Sequence, residues 1–544
     1  MKIAIILSGV LLPMLPAAER SPPVQAATNR PNIVFILADD LGLGDTNIYG
    51  GDRCQIETPN IDALARGGLR FTDAHPSASV CRPTRQAIMT GRYNWRFGSP
   101  VTNGPWGFCG PRPGSEKSTL AKVLQRSGYH TGYVGKWHLG TTMTTLDGQT
   151  QGPTNVDYTQ PLIYGPQQFG FEESFILPGS LDMFPYVFAR NHEWQGEVTA
   201  QKGWSAFNRV GPAASDFEDL EVLETFYTEA EDYLMKRSAE QPFFLFLALT
   251  APHTPTSPGI KWRGQSELGV YGDFVMEVDH AVERVMDTLK RQGLDQNTLV
   301  IFSSDHGAAP YAGNILKATP GQIHLLEEKG HYASGPHRGF KFSVYEGGLR
   351  VPLIAHWPAA IEAGRTSDAL VGLNDLMATL AEISGTSLSA EEGPDSVSFA
   401  SVLRDADSDS PRRHLLMQSA QEVFVVRDGD WKLCLGPGSG TKDLHLIEPL
   451  SSVSWTNALA DFKPPLNRQK LTKPPFVQLF NLASDPHEDH NLAAEHPAQI
   501  AAMVTLLEQN ITAGRSNPGP ALTNDRRVLI HQRLPDVVKE QLRP

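Results

Sequence analysis

The run Asn32-Ile33-Val34-Phe35-Ile36-Leu37-Ala38, stopped at once by Asp39-Asp40, decides the architecture of this chain. A strand with one wet face alternates apolar and polar residues, whereas one covered on both faces reads as a continuous apolar run. The same grammar recurs at residues 243–249 (FFLFLAL), followed by Pro252-His253, and at 298–303 (TLVIFS), followed by Asp305-His306-Gly307. A weaker copy at 129–135 leads into Lys136-Trp137-His138. These four strands deliver polar residues at their C-terminal ends, the edge at which open α/β sheets bind ligands. Between them lie helical stripes: Phe274, Val278, Ala281, Val282, Val285, Met286 and Leu289 in 274–289, and Leu220, Leu223, Phe226 and Leu234 in 216–235. Strands alternating with helices predict an α/β fold, a doubly wound sheet flanked by helices.

A chain of 544 residues exceeds what a single core usually supports. The α/β grammar occupies residues 28–412, ending in a polar break at 384–413. Beyond it, alternating runs at 422–426 and 430–435 meet at Arg427-Asp428-Gly429, a hairpin signal. A strand at 478–482 and a helix at 497–509, with Ile500, Met503, Val504 and Leu507 on one face, complete a smaller C-terminal α+β domain over 413–544. Residues 142–168 are polar, aperiodic and rich in turn formers, which predicts a surface insertion.

Met1-Lys2, an apolar segment over 3–15 and small residues at Ala17-Ala18 and Ala26-Ala27 read as a secretory signal over 1–27, cleaved after Ala18 or near Ala26. Its apolar run is too short for a membrane span, so the expectation is export to the periplasm or beyond without a stable membrane anchor. The formal net charge of -13 argues against a nucleic-acid partner. An anionic substrate would need a local cationic pocket. Of the four cysteines, Cys54, Cys81, Cys109 and Cys434, no pair has zinc-site spacing.

Cys81-Arg82-Pro83-Thr84-Arg85, with Thr90-Gly91-Arg92 behind it, predicts a helix of about two turns: Pro83 suits its first turn and Gly91 its end. Cys81 and Arg85 are four apart and share a face beside N–H groups that favour an anion. A buried thiol at an ordinary helix start explains the same pattern about as well. Asp39 and Asp40 reach one strand end and Asp305 another. Three carboxylates brought together repel unless a cation sits among them, and oxygen donors favour Ca2+ or Mg2+. Asp45 reads as a turn or cap. Lys136 and His138 are two apart, so an extended segment would point both into one pocket.

These stretches resemble the type I, formylglycine-dependent sulfatases of the alkaline phosphatase superfamily. The resemblance runs through Cys81-x-Pro83-x-Arg85 and Thr90-Gly91-Arg92, Asn32-Ile33 to Asp39-Asp40-Leu41-Gly42, Thr58-Pro59-Asn60-Ile61-Asp62 and Gly135-Lys136-Trp137-His138-Leu139-Gly140. It continues through Ser304-Asp305-His306-Gly307, Tyr345-Glu346-Gly347-Gly348-Leu349-Arg350-Val351-Pro352 and Asp428-Gly429-Asp430-Trp431-Lys432-Leu433, in family order. Arg82 and Thr84 stand where many members carry Ser or Ala and Ser, and His306 stands where the family has Asn.

The resemblance implies an alkaline-phosphatase-like sheet and a maturation enzyme that oxidises Cys81 to formylglycine. The hydrated aldehyde would be the nucleophile that forms a covalent sulfo-enzyme. If Cys81 is so consumed, at most one disulfide can form among the other cysteines. The metal, Ca2+ in preference to Mg2+, would be held by Asp39, Asp40, Asp305, His306 and residue 81. Arg85 would orient the nucleophile, Lys136 and Lys341 would contact sulfate, and His253 would protonate the leaving oxygen. His138 would deprotonate the second hydroxyl of the sulfated gem-diol, releasing sulfate. The implied substrate is a sulfated polysaccharide or oligosaccharide, with a lean to galactose-type sugars from the segment starting at Leu181. Asp182, Arg190, His337 and Arg338 are its candidate contacts. The alternatives are a phosphonate or phosphodiester hydrolase of the same superfamily and a non-catalytic, calcium-dependent glycan-binding relative.

Overall fold

A computed structural model describes residues 30–98, 104–111, 118–203, 209–311, 322–436, 438–440 and 476–530. The expected signal segment at 1–27 lies outside them.

The central sheet has ten strands, in the order Arg365–Ser367, Leu69–Phe71, Leu353–His356, Thr298–Ser304, Asn32–Asp39, Phe243–Pro252, His130–Lys136, Glu173–Leu177, Phe188–Arg190 and Glu193–Gln195. Its middle is parallel: Asn32–Asp39 pairs with both Phe243–Pro252 and Thr298–Ser304, and His130–Lys136 continues the run to Glu173–Leu177. Antiparallel pairs at Leu353–His356 and beyond Glu173–Leu177 make the whole sheet mixed. Every residue of the Asn32–Asp39 strand is buried, as an apolar run without alternation requires.

Two groups of helices cover the sheet. Pro59–Arg66 and Val222–Met235 both pack on Val270–Arg291, and Leu376–Ser384 packs on Leu120–Arg126 and Cys81–Thr90. The helix expected over 216–235 begins at Val222, because Asp219–Glu221 form a 3-10 turn instead, leaving Leu220 of the expected stripe outside the helix.

A second, antiparallel sheet runs His414–Gln418, Phe424–Asp428, Trp431–Cys434 and Gln478–Asn481, with helix Pro497–Ala513 burying Ile500, Met503, Val504 and Leu507. The hairpin turn sits later than the sequence suggested. Arg427 and Asp428 remain in the strand, opposite Lys432 and Trp431, and Gly429 turns the chain at φ 56°. The apolar cluster here also takes Tyr93, Trp95, Val344, Tyr345 and Leu349 from the earlier part of the chain. All four cysteines are unpaired.

Candidate active site

The carboxyl ends of the parallel strands converge as the topology requires. Asp39 ends the central strand, and Asp40 turns away in the left-handed region at φ 64°. Asp305 follows the neighbouring strand, and its Oδ1 accepts from the Asp40 N–H at 3.3 Å. Helix Cys81–Thr90 starts above this edge, stops at left-handed Gly91 and is nearly three turns long. It aims Arg85 at the carboxylates: Nε donates to Asp305 Oδ2 at 3.0 Å, and Nη2 lies 3.6 Å from Asp39 Oδ1. Cys81 is buried beside them. Burial pushes its thiol far above the ordinary range although Lys136 and Lys341 pull the other way, so the unmodified residue stays protonated and weakly nucleophilic.

His306 meets the sulfur. A carbonyl can only accept, so the 3.0 Å contact of Nδ1 with Gly307 O places a proton on that nitrogen. Burial holds the ring neutral, leaving an Nε2 lone pair 3.2 Å from Cys81 Sγ and 3.3 Å from Asp40 Oδ1. Ligand atoms of Asp39, Asp40, Cys81 and His306 all lie within 4.8 Å of one another. Asp39 Oδ1 and Asp40 Oδ2 are buried without a hydrogen-bond partner. Burial would raise the Asp39 carboxyl, but Lys136, His253 and Arg85 outweigh it and hold Asp39 ionised. Burial, with Asp39 and Asp305 nearby, drives Asp40 upward despite Lys341. Crowded carboxylates, orphaned oxygens and an inward lone pair fit a cation.

The lysines frame the cluster. Lys136 donates to Asp39, and Lys341 donates to Asp40 Oδ1 at 2.7 Å. Both ammonium groups are held charged, because these carboxylates outweigh burial. His253 follows the Phe243–Pro252 strand; Nδ1 donates to Thr254 O at 2.6 Å, and Nε2 faces Asp40 Oδ2 at 3.7 Å. His138 is buried near Lys136, but the alternation expected of an extended segment fails. Its backbone is left-handed at φ 54°, with its N–H on Pro178 O and Nδ1 without a hydrogen-bond partner. Burial, then Arg82 and Lys136, lower its pKa far below the usual histidine value.

The Sulfatase family model matches residues 31–386. This chain belongs to the sulfatase family. It is 28% identical over 530 residues to an N-acetylgalactosamine-6-O-sulfatase of Bacteroides thetaiotaomicron, covering 88% of this chain and 93% of the relative. Bovine arylsulfatase A is 32% identical, with 86% of this chain and 84% of the relative covered. Among solved structures, a sulfatase from a study of glycosaminoglycan metabolism by Bacteroides thetaiotaomicron superposes with a TM-score of 0.73 at 27% identity. That match covers 89% of this chain and 99% of the other. Membership makes the chain a sulfuric ester hydrolase and, with these relatives, supports a carbohydrate sulfatase. Among the described residues no helix is long and apolar enough to cross a membrane.

Of the four candidate sugar contacts, this sulfatase brings only Asp182 to the cluster, with Oδ1 4.0 Å from His253 Nδ1. Arg190 lies on the penultimate strand of the sheet, where it pairs with Glu229 at 2.5 Å and lies over Phe175. His337 contacts Pro486 O, and Arg338 donates to Glu488 O and lies over Tyr345; both serve the join with the C-terminal segment. Asp45 caps its turn as expected, accepting from Gly42 N at 2.7 Å. Sequence reasoning missed Arg209, which donates to Asp182 Oδ2 at 2.9 Å, and Trp106 beneath it. Neither falls in a periodic segment or motif; an aromatic residue in a Pro/Gly stretch was the available signal.

A second cluster in the sulfatase, Asp73, His75 and Glu346, has a different character. Arg350, Arg427 and Lys432 already supply positive charge to its carboxylates.

Proposed function

We propose that this protein hydrolyses sulfate monoesters on sulfated oligosaccharides or polysaccharide fragments, with a lean to galactose-type sugars, through a formylglycine at position 81. The observation that carries the reading is the convergence of Cys81, Arg85, Lys136, Lys341, His253 and three aspartates at one sheet edge. Converted to formylglycine, residue 81 would supply a hydrated aldehyde as the nucleophilic oxygen. Asp39, Asp40, Asp305 and His306 would hold the cation, Ca2+ by family expectation, which supplies positive charge where the nucleophile loses its proton. Arg85 orients residue 81. Lys136 and Lys341 receive the sulfuryl oxygens, where preorganised positive charge in a dry site lowers the barrier. His253 gives a proton to the departing alkoxide from Nε2, and His138 accepts one as sulfate leaves. The N-acetylgalactosamine-6-sulfatases among the relatives support the sugar class, and the apolar start of the chain supports export.

The test pairs two measurements on protein matured by its own host. The mass of the peptide carrying residue 81 should show conversion of the thiol. Hydrolysis of matched aryl sulfate and aryl phosphodiester substrates should favour the sulfate. An intact thiol in active enzyme overturns the formylglycine mechanism, and preference for the diester overturns the sulfatase reading in favour of the sister activity.

A further inference from the structure

Beside His253 the structure holds a second group of polar and aromatic side chains that the reaction does not use. Asp182 is 2% exposed, and its Oδ1 is buried without a hydrogen-bond partner. Oδ2 and the backbone carbonyl both accept from Arg209 Nη1, at 2.9 and 2.8 Å. The Arg209 guanidinium lies 3.6 Å from the centroid of the Trp106 ring. Trp106 keeps 40% of its surface exposed, and it is the one exposed tryptophan among the described residues. Its backbone is left-handed at φ 56°, unfavourable for a bulky side chain and found where the surroundings enforce it. Those surroundings are visible: the next residue, Gly107, donates to Phe184 O at 3.0 Å, fastening the tryptophan turn to the segment that carries Asp182.

We propose that Asp182, Arg209 and Trp106 form a sugar subsite. A ring hydroxyl of the sulfated monosaccharide donates to Asp182 Oδ1, and the neighbouring sugar of the chain lays its C–H face on the Trp106 indole. The proposal rests on the carbohydrate sulfatase reading and deepens it. A buried carboxylate oxygen lacking a donor carries a desolvation cost that a substrate hydroxyl relieves, which discriminates strongly against ligands without that hydroxyl. Arg209 fixes the carboxylate through its other oxygen, so Oδ1 is presented in one orientation. The 4.0 Å between Oδ1 and His253 Nδ1 sets this acceptor beside the proposed proton donor to the leaving oxygen. An aromatic ring with an amphipathic partner on one face suits the mixed apolar and hydroxylated surface of a sugar.

The experiment compares three substrates, 4-nitrophenyl sulfate, a 6-sulfated galactose-type monosaccharide and the corresponding sulfated disaccharide, on wild type, Asp182→Asn and Trp106→Ala. Asp182→Asn should lose at least about 30-fold more kcat/KM on both sugar sulfates than on the aryl sulfate. Trp106→Ala should lose about 10-fold on the disaccharide and at most about threefold on the monosaccharide. Equal losses across all three substrates would make these residues supports of the reacting groups and overturn the subsite. Losses confined to the aryl sulfate would also overturn it. Should wild type with converted residue 81 leave every sulfate intact, the sulfatase reading falls and calorimetry with the unsulfated disaccharide decides the subsite alone. Binding at least tenfold weaker in both variants supports it, and unchanged binding overturns it.

Discussion

The Nδ1 proton of His253 rests on Thr254 O, which points Nε2 toward Asp40. Burial, then Lys341, lower the imidazole pKa far below the usual value, so the free enzyme carries a neutral ring. An anionic sulfate ester bound beside it works in the opposite direction and favours the imidazolium. Protonation matters most for a sugar alkoxide, a poor leaving group, and least for 4-nitrophenolate, which departs unaided. His253→Ala should therefore lower kcat/KM about 10²- to 10³-fold on a sugar sulfate and less than about tenfold on 4-nitrophenyl sulfate. Across a series of aryl sulfates, log kcat/KM against leaving-group pKa should steepen. An unchanged slope would remove His253 from the role of acid. At this scale the sequence was readable where a residue ends a buried strand, as Asp39, Lys136 and Asp305 do. What it did not announce was the turned backbone: His138, expected on an extended segment, is left-handed, and no spacing rule signals that.

The segment after His253 is tied to helix Val270–Arg291 by Glu277, whose Oε2 accepts from Gly259 N at 2.8 Å while Oε1 is buried without a partner. Burial, only partly offset by the Gly259 N–H, pushes this carboxyl up to about 7 from an ordinary 4.5. A raised acid binds its proton more tightly folded than unfolded. The stability this group contributes is therefore fullest below pH 4.5 and is lost as pH rises through 7, by on the order of 3 kcal/mol. Glu277→Gln keeps an acceptor for Gly259 and removes the titration. Its melting temperature relative to wild type should rise between pH 5 and pH 8, and parallel curves would place the charge elsewhere. The helix itself was legible, because its apolar stripe has the helical period and faces the sheet. The three-residue strands Leu69–Phe71 and Arg365–Ser367 were not, since so short a run carries little propensity and is specified by the neighbour it pairs with.

The two sheets meet through buried charge. Glu346 follows the Lys341 segment and accepts from His75 Nε2 at 3.0 Å and from Arg350 Nε at 2.7 Å. Lys432, on the C-terminal sheet, lies 2.8 Å from Glu346 and 2.7 Å from Glu488, and Glu488 Oε2 accepts from the Glu346 N–H. Burial would raise Glu346, but Lys432, Arg350 and His75 outweigh it and keep it ionised. The separate grammar of the C-terminal strands was readable, but this junction was not. Its members are scattered from Asp73 to Glu488, and a charged residue in a sequence usually signals a wet surface. Gly347, next to Glu346, donates to Arg338 O at 2.7 Å, which ties this network to the turn that carries Lys341. Lys432→Met leaves two buried carboxylates facing each other with one cation fewer and should cost about 3–5 kcal/mol in urea unfolding. Adding Glu346→Gln and Glu488→Gln removes the stranded charge, so the triple variant should regain most of that loss if electrostatics, and not the volume of the lysine chain, governs the joint. A single variant as stable as wild type would show that the two sheets are held by their shared apolar cluster of Tyr93, Trp95 and Tyr345 alone.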